Sequence, residues 1–138
     1  MSLHAVLYGA AAAVPTIGIS MLLPKSVGYR FLSVLLGAIA GAYAGFALLD
    51  GRIRELSIEA TAMMLFLVLT VLGLNSRPRF LVAAYFLHGL WDAAHRPAGV
   101  QTNVVSWYPA ACWVYDWLVA GFILLWWRRA SDVNPASP

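Results

Sequence analysis

The chain has 138 residues, of which 62% are hydrophobic and 11% are charged, and its formal net charge is +3. Soluble domains carry about 25% charged residues, and a chain this short could not hide so much apolar surface from water, so a water-soluble fold is excluded. The single cysteine, Cys112, excludes an intrachain disulfide and a multi-cysteine metal site. The basic residues lie between or beyond the apolar runs, which indicates a role in membrane topology and argues against nucleic-acid binding.

Five apolar runs of roughly transmembrane length follow one another along the chain, and polar, glycine or proline residues close them. No basic segment precedes the first run, so we expect no cleavable signal peptide. The predicted helices span 4–23, 31–49, 56–74, 80–95 and 107–127. We therefore predict an all-α, polytopic membrane bundle of about five helices, with one domain over 1–129 and a disordered tail over 130–138.

The second run contains three glycines at four-residue spacing, Gly37, Gly41 and Gly45. Small residues at this spacing let two membrane helices approach closely. The ridge is therefore predicted to be a packing surface, and it is also where we would expect a homo-oligomer to form. The other expected partners are membrane lipids and a hydrophobic small molecule.

The basic residues divide unequally between the two sides of the predicted bundle. Six fall on one side: Lys25, Arg30, Arg77, Arg79, Arg128 and Arg129. Three fall on the other: Arg52, Arg54 and Arg96. The positive-inside rule then places the C-terminus in the cytoplasm and the N-terminus outside, and we expect the protein in a bacterial inner membrane.

Four ionisable residues lie inside the apolar runs: Glu59, His88, Asp92 and Asp116. A charged group at the bilayer centre costs about 2.5–3.5 kcal/mol, so such residues usually face the bundle interior and mark a function. In the predicted topology all four fall in the outer half of the membrane. We expect them to face one cavity, with Trp91 or Trp113 on its wall.

Spacing along the fourth run supports this expectation. His88, Asp92 and His95 stand at i, i+4 and i+7, which places them on one stripe of a helix. Structural interpretations remain open. The buried groups could form a hydrogen-bonded network that pins the helices, His95 could reach the interfacial water, and Cys112 could be a small apolar packing residue.

The last third of the chain carries a motif. The segment His88-Gly-Leu-Trp-Asp-Ala-Ala-His95, followed by Trp107-Tyr-Pro and then Asp116, resembles a pattern in a family of small uncharacterised bacterial integral membrane proteins. The resemblance covers roughly 86–117. It implies a membrane protein and carries no activity with it.

Three functions fit these residues, and the first is an enzyme acting on an isoprenoid- or sterol-like substrate, as an isomerase, cyclase or hydratase. Carboxylates and a histidine in a low-dielectric pocket suit proton donation and removal. The acid would be Asp92 or Glu59, and the base His88 or Asp116. Aromatic side chains in the same half would bind the substrate and stabilise a cation: Trp91, Tyr108, Trp113 and Trp117.

The second function is a metal site, and the third is an ion or proton transporter subunit. Nitrogen and oxygen ligands for zinc, iron or manganese are offered by His88, Asp92, His95 and Glu59, and Asp116 adds a further carboxylate. Intramembrane carboxylates and histidines can also relay ions. The cofactor expected is therefore either none or a divalent metal.

Overall fold

Five helices make up the protein. The structure, a computed structural model, describes residues 2–74, 78–95, 99 and 104–133, with side chains through Trp126. These residues form five α-helices and no strand. The helices are α1 (Leu3–Leu22), α2 (Lys25–Leu49), α3 (Ile53–Leu74), α4 (Pro78–Ala94) and α5 (Tyr108–Val133). The predicted all-α bundle of five helices is confirmed.

Local signals in the sequence set the ends of the first helices. The Ser2 hydroxyl accepts a hydrogen bond from the Ala5 amide at 3.3 Å and so caps α1. Pro24 separates α1 from α2, where its fixed φ suits the start of a helix. Gly51 has a φ of 66°, which residues with a side chain rarely adopt, and it turns the chain from α2 towards α3. These short connections make consecutive helices antiparallel neighbours.

The second helix begins earlier than predicted, at Lys25 instead of 31. The charges of Lys25 and Arg30 suggested a loop, but charged residues at a helix start can extend to the membrane surface while the backbone stays helical. The absence of a side chain at Gly28 also lets this turn pack closely against α5. A Cβ added there would lie 2.7 Å from the Trp126 ring.

The fifth helix continues to Val133, beyond the predicted end at 127. The helix thus includes 130–133, the first part of the segment predicted to be a disordered tail, and the remainder, 134–138, lies outside the described residues. No proline or glycine interrupts this stretch, so nothing in the backbone stops the helix where the apolar run ends.

The helices form a closed ring. Each helix packs against the next along the chain, α5 packs against α1, and α2 and α4 touch across the ring. Since consecutive helices alternate in direction, the N-terminal ends of α1, α3 and α5 lie together with the C-terminal ends of α2 and α4. We call this end of the bundle the site end.

Away from the site end the core is apolar, with leucines, alanines and tyrosines from α1, α2, α4 and α5. Two tyrosines link helices there. The Tyr85 hydroxyl donates to the Leu32 carbonyl at 2.8 Å, and the Tyr115 hydroxyl donates to the Thr16 hydroxyl at 3.2 Å. These contacts tie α4 to α2 and α5 to α1.

The outward faces of the bundle are apolar. Large exposed hydrophobic side chains recur on several helices, among them Val14, Leu22, Val34, Leu49, Leu65, Val68, Val71 and Leu125. Among the described residues, α1, α2, α3 and the stretch of α5 from Tyr108 to Trp126 are long and apolar enough to cross a membrane. The chain is thus an integral membrane protein whose apolar surface faces lipid.

Two glycines of the predicted ridge face α3 of the same chain. A Cβ added at Gly37 would lie 3.3 Å from Leu67 Cδ2, and one added at Gly41 would lie 3.7 Å from Met63 Sδ. A Cβ added at Gly45 would meet no described atom within 4 Å. Part of the ridge thus serves packing within the chain, and the homo-oligomer stays a prediction.

Candidate functional site

Three helices bring ionisable side chains together near the site end. Glu59 lies on α3, His88 and Asp92 lie on α4, His95 follows the last residue of α4, and Asp116 lies on α5. We call these five residues the acid–histidine cluster. Each is at most 2% exposed.

His88 is held between two carboxylates. Its Nδ1 lies 2.7 Å from Asp116 Oδ2, within hydrogen-bond distance, and 3.4 Å from Asp92 Oδ2. We call His88, Asp92 and Asp116 the His88 triad. One ring nitrogen of His88 and one carboxylate oxygen each of Asp92 and Asp116 all lie within 4.8 Å of one another. Asp92 stands one helical turn after His88, as the spacing on the predicted stripe requires.

A glycine lets α5 come close enough to complete the triad. A Cβ added at Gly89 would lie 2.7 Å from Trp117 Cδ1 and 3.3 Å from Asp116 Cβ. Contacts shorter than 3.0 Å essentially never occur for real Cβ atoms. The absence of a side chain at this position therefore sets the distance between α4 and α5 at the triad.

Glu59 belongs to a second group beside the triad. The Trp91 indole donates a hydrogen bond to Glu59 Oε2 at 3.1 Å, and His95 Nε2 lies 3.4 Å from Glu59 Oε1. The His95 ring also stacks on Tyr43, with 4.3 Å between ring centroids. His95 is therefore covered by protein groups, and its side chain does not extend outward to water.

Several carboxylate oxygens of the cluster are buried without a hydrogen-bond partner among the described residues. They are Asp92 Oδ1 and Oδ2, Asp116 Oδ1 and Glu59 Oε1. Two of them, Asp92 Oδ2 and Glu59 Oε1, nevertheless lie 3.4 Å from a histidine nitrogen, too far or too poorly aligned for a good hydrogen bond. An unsatisfied buried polar group costs about 1–3 kcal/mol, and more when it is charged. A cluster that leaves so many acceptors unsatisfied is a poor structural support, because buried ionic groups seldom stabilise better than apolar packing. The arrangement points to a proton, a cation or a substrate as the missing partner.

Two open, apolar grooves approach the cluster from opposite sides. The α3/α4 groove, about 690 Å³, is lined by residues that include Trp91 and Phe66. The α1/α5 groove, about 500 Å³, is lined by residues that include Tyr108 and Cys112. Both volumes fall in the range of small-molecule sites.

One layer of side chains separates each groove from the cluster. On the α3/α4 side, Trp91 hydrogen-bonds Glu59 and the Phe66 ring meets the His88 ring edge-on at 4.9 Å. On the α1/α5 side, Cys112 stands one turn before Asp116 and interacts electrostatically with it. The four predicted catalytic residues thus pack against one another instead of lining either groove.

The predicted substrate-binding residues separate into two pairs. Trp91 and Tyr108 line the grooves, one in each. Among the described residues, Trp113 and Trp117 line neither of these two grooves. Their rings instead meet each other edge-on at 5.1 Å, and Trp117, which is 39% exposed, stacks on Phe86.

Sequence reasoning missed two residues around the cluster: Tyr43 and Phe66. Tyr43 and Phe66 lie in apolar runs where an aromatic residue usually indicates core packing. The sequence did contain a partial signal for Tyr43, because the predicted topology brings the C-terminal half of α2 to the site end of the bundle. Phe66 carries no such signal, because its contact with His88 depends on how α3 and α4 rotate.

One comparison with known proteins finds a match. The model of a family described as "Family of unknown function (DUF6010)" matches residues 3–129. No curated protein and no solved structure matches the chain. The matched range contains all five helices up to residue 129, and with them the whole acid–histidine cluster. The chain belongs to this family of unknown function, DUF6010.

Proposed function

We propose that the protein is a membrane enzyme that uses acid/base chemistry on an isoprenoid- or sterol-like substrate, as an isomerase, cyclase or hydratase. The observation that carries the proposal is the acid–histidine cluster itself. It combines proton donors and acceptors from three helices, nearly complete burial and unsatisfied carboxylate oxygens, beside apolar grooves.

The proposed reaction begins with proton transfer to one carbon of an alkene, which leaves a carbocation on the neighbouring carbon. Loss of a proton from an adjacent carbon gives an isomer. Attack by a second double bond closes a ring and moves the cation to another carbon, which then loses a proton. Addition of water followed by loss of a proton from the oxygen gives an alcohol. Asp92 or Glu59 would donate the proton, and His88 or Asp116 would accept it. The indole of Trp91 would stabilise the cation through its π face.

The α3/α4 groove is the better entrance for the substrate. Its Trp91 and Phe66 contact Glu59 and His88 directly, so a small rotation of either ring would bring a substrate in the groove against the cluster. Ser57 and Thr61 add hydroxyl groups to its otherwise apolar lining, which suits a substrate with a single polar end.

The apolar core argues against an ion pathway through one chain. Beyond the cluster, buried Leu32, Leu81 and Ile123 fill the ring of helices among the described residues. An ion crossing this layer would lose its hydration without gaining polar ligands. This favours a reaction at one end of the bundle over the transporter alternative.

We further propose that the site end faces the outside of a bacterial inner membrane, with the N-terminus outside and the C-terminus in the cytoplasm. The unequal division of basic residues supports this orientation. We also propose that the segment from His88 to His95 is a signature of the family, since it supplies three of the five cluster residues.

Deuterium uptake tests the proposed chemistry even while the natural substrate is unidentified. Each proposed reaction of an alkene places a solvent proton on carbon, so turnover in D₂O should leave carbon-bound deuterium. We expect purified protein to label at least one of farnesol, squalene and cholesterol, read by mass spectrometry. Glu59→Gln and Asp92→Asn should each reduce the rate by about 100-fold or more, because general acid–base catalysis contributes that much.

Glu55→Gln is the matched control. Glu55 is also on α3 near the site end, but it pairs with Arg54 at 3.5 Å near the surface and lies outside the cluster. Its variant should therefore keep wild-type labelling. No labelling of any of the three probes, or equal labelling by wild type and both cluster variants, would contradict the proposal.

A further inference from the structure

We infer that the His88 triad is a binding site for one divalent transition-metal ion, with Zn²⁺ as the best fit. Its proposed ligands are His88 Nδ1 and one carboxylate oxygen each from Asp92 and Asp116. The inference goes beyond the proposed function and does not depend on it, because an ion can be bound and measured without turnover.

The distances of the triad suit a small ion. Two ligand atoms at tetrahedral positions around Zn²⁺ lie about 3.3 Å apart, given bond lengths near 2.0–2.1 Å. His88 Nδ1 and Asp92 Oδ2 already lie 3.4 Å apart. His88 Nδ1 and Asp116 Oδ2, at 2.7 Å, would separate by about 0.6 Å as the metal replaces the proton between them.

The unsatisfied oxygens supply a second, independent observation. The side chains of Asp92 and Asp116 are 0% exposed, yet Oδ1 of each lacks a hydrogen-bond partner among the described residues. Asp92 Oδ2 lies 3.4 Å from His88 Nδ1 without a hydrogen bond of good geometry. A bound cation would satisfy these acceptors. A structural triad with no further partner would leave them desolvated at a cost of several kcal/mol per unsatisfied charge.

Charge balance also favours a divalent ion. In the described part of the chain, His88 is the basic residue that pairs with Asp92 and Asp116. With neutral His88 the two carboxylates carry two negative charges in a membrane interior, where net charge is costly. One divalent ion cancels both charges, whereas protonated His88 cancels only one.

The ligand types narrow the choice of metal. Imidazole suits zinc, iron and copper, and carboxylates accept zinc as well as harder ions such as manganese and magnesium. Mg²⁺ prefers oxygen ligands and usually retains several waters, which an enclosed three-residue site does not favour. Three protein ligands would leave one tetrahedral position for water or substrate, as in catalytic zinc sites.

The inference changes the sequence-based metal hypothesis. That hypothesis placed Glu59 and His95 among the ligands, but the structure joins Glu59 to Trp91 and His95 instead. With Asp92 and Asp116 on the metal, Glu59 is the carboxyl group left to move a proton. The metal site therefore selects Glu59 as the acid. Because both proposed bases, His88 and Asp116, are then metal ligands, Glu59 would also take back the proton.

Metal content is the direct test. Full-length protein carrying a histidine-free affinity tag is purified in detergent, stripped with EDTA, incubated with Zn²⁺, desalted and measured by mass spectrometry of the elements. We expect about one Zn²⁺ per wild-type chain, as for a single catalytic-type site. The variants Asp92→Asn and Asp116→Asn should each retain at least about tenfold less Zn²⁺ than wild type.

Glu59→Gln is the matched control, because it removes a buried carboxylate of the same cluster that lies outside the triad. It should retain Zn²⁺ like wild type, and Zn²⁺ should raise its Tm as it raises that of wild type. Zn²⁺ should leave the Tm of Asp92→Asn unchanged. Equal loss in Glu59→Gln and Asp92→Asn would overturn the triad as the ligand set, as would full retention by both aspartate variants.

Cobalt gives a test that needs no variant, in case the aspartate variants fail to fold. Co²⁺ bound to one nitrogen and two oxygens in a four-coordinate site absorbs strongly in the visible range. Added Zn²⁺ should abolish this absorption by displacing the Co²⁺ ion. Wild-type protein that binds neither ion would overturn the metal site. The proposed acid/base function would survive that result if deuterium uptake persists in EDTA.

Discussion

Two fully buried tyrosines, Tyr43 and Tyr85, differ in what their hydroxyl groups contact. Tyr85 donates a hydrogen bond to the Leu32 carbonyl at 2.8 Å, in the apolar core. The Tyr43 hydroxyl makes no hydrogen bond of good geometry among the described residues, and the group that it interacts with is the carboxylate of Asp92. A structural hydroxyl should be satisfied, so Tyr43 fits a role towards a ligand of the cluster better than a role in stability.

Replacing each tyrosine by phenylalanine should separate the two roles. Tyr85→Phe loses a buried hydrogen bond and should reduce the free energy of unfolding by about 1 kcal/mol. Tyr43→Phe keeps the ring that stacks on His95 and should change the stability by less than about 0.5 kcal/mol. Unfolding in detergent with increasing denaturant measures both. A larger loss in Tyr43→Phe would show that its hydroxyl is a structural group.

At the residue scale, the sequence predicts that His88 and Asp92 share one face of a helix. It does not predict that Asp116 pairs with His88. The four-residue spacing of His88 and Asp92 places them on one face of any helix, whatever surrounds it. Asp116 reaches His88 only because α5 has a particular rotation and Gly89 lets it approach. Periodicity in one helix carries no information about the rotation of another.

At the element scale, the crossing of α1 and α5 depends on Gly9. A Cβ added there would lie 2.3 Å from the Ala111 carbonyl oxygen and 2.9 Å from Val114 Cβ. Backbone atoms cannot rotate away as a side chain can, so a methyl group at this position must move a whole helix. Gly18 in the same helix is different, because a Cβ added there would meet no described atom within 4 Å.

Gly9→Ala and Gly18→Ala therefore form a matched pair. Gly9→Ala should destabilise the bundle by about 1–3 kcal/mol, the usual cost of overpacking. Gly18→Ala should stay within about 0.5 kcal/mol of wild type. Thermal unfolding in detergent compares the two variants. A Gly9→Ala protein as stable as Gly18→Ala would mean that α1 does not cross α5 at this point.

The apolar runs predicted the helices well because the bilayer demands a long apolar segment for each crossing. They predicted the ends less well. The start of α2 and the end of α5 both extend into charged sequence, where hydrophobicity falls although backbone hydrogen bonding continues. Hydrophobicity indicates which residues lie in the lipid. The end of a helix instead depends on capping residues and on helix breakers such as Pro24.

At the scale of the whole molecule, a membrane crossing by α1 would place the two ends of this helix on opposite faces of the membrane. Ser2 precedes α1 at the site end, and Ser26 lies in the first turn of α2 at the other end. Both residues are exposed. A serine-to-cysteine change at either position is nearly isosteric, so the pair reports topology with little disturbance.

Labelling with a membrane-impermeant maleimide should read this topology in a Cys112→Ala background. On intact cells whose outer surface is accessible, Ser2→Cys should react and Ser26→Cys should react only after the membrane is opened. The reverse pattern would overturn the proposed orientation and leave the bundle intact. Reaction of both before opening would show that α1 does not cross the membrane.

The fourth helix has a consequence for how the protein is made. With 17 residues α4 is about 26 Å long, shorter than the roughly 30 Å of hydrocarbon that a spanning helix crosses, and it carries His88 and Asp92. Its charge partner Asp116 lies on α5, which the ribosome delivers later. We expect α4 to remain beside the insertion machinery until α5 arrives, so that His88 enters lipid already hydrogen-bonded to Asp116. The residues that build the site would then also set the order in which the chain leaves the translocon.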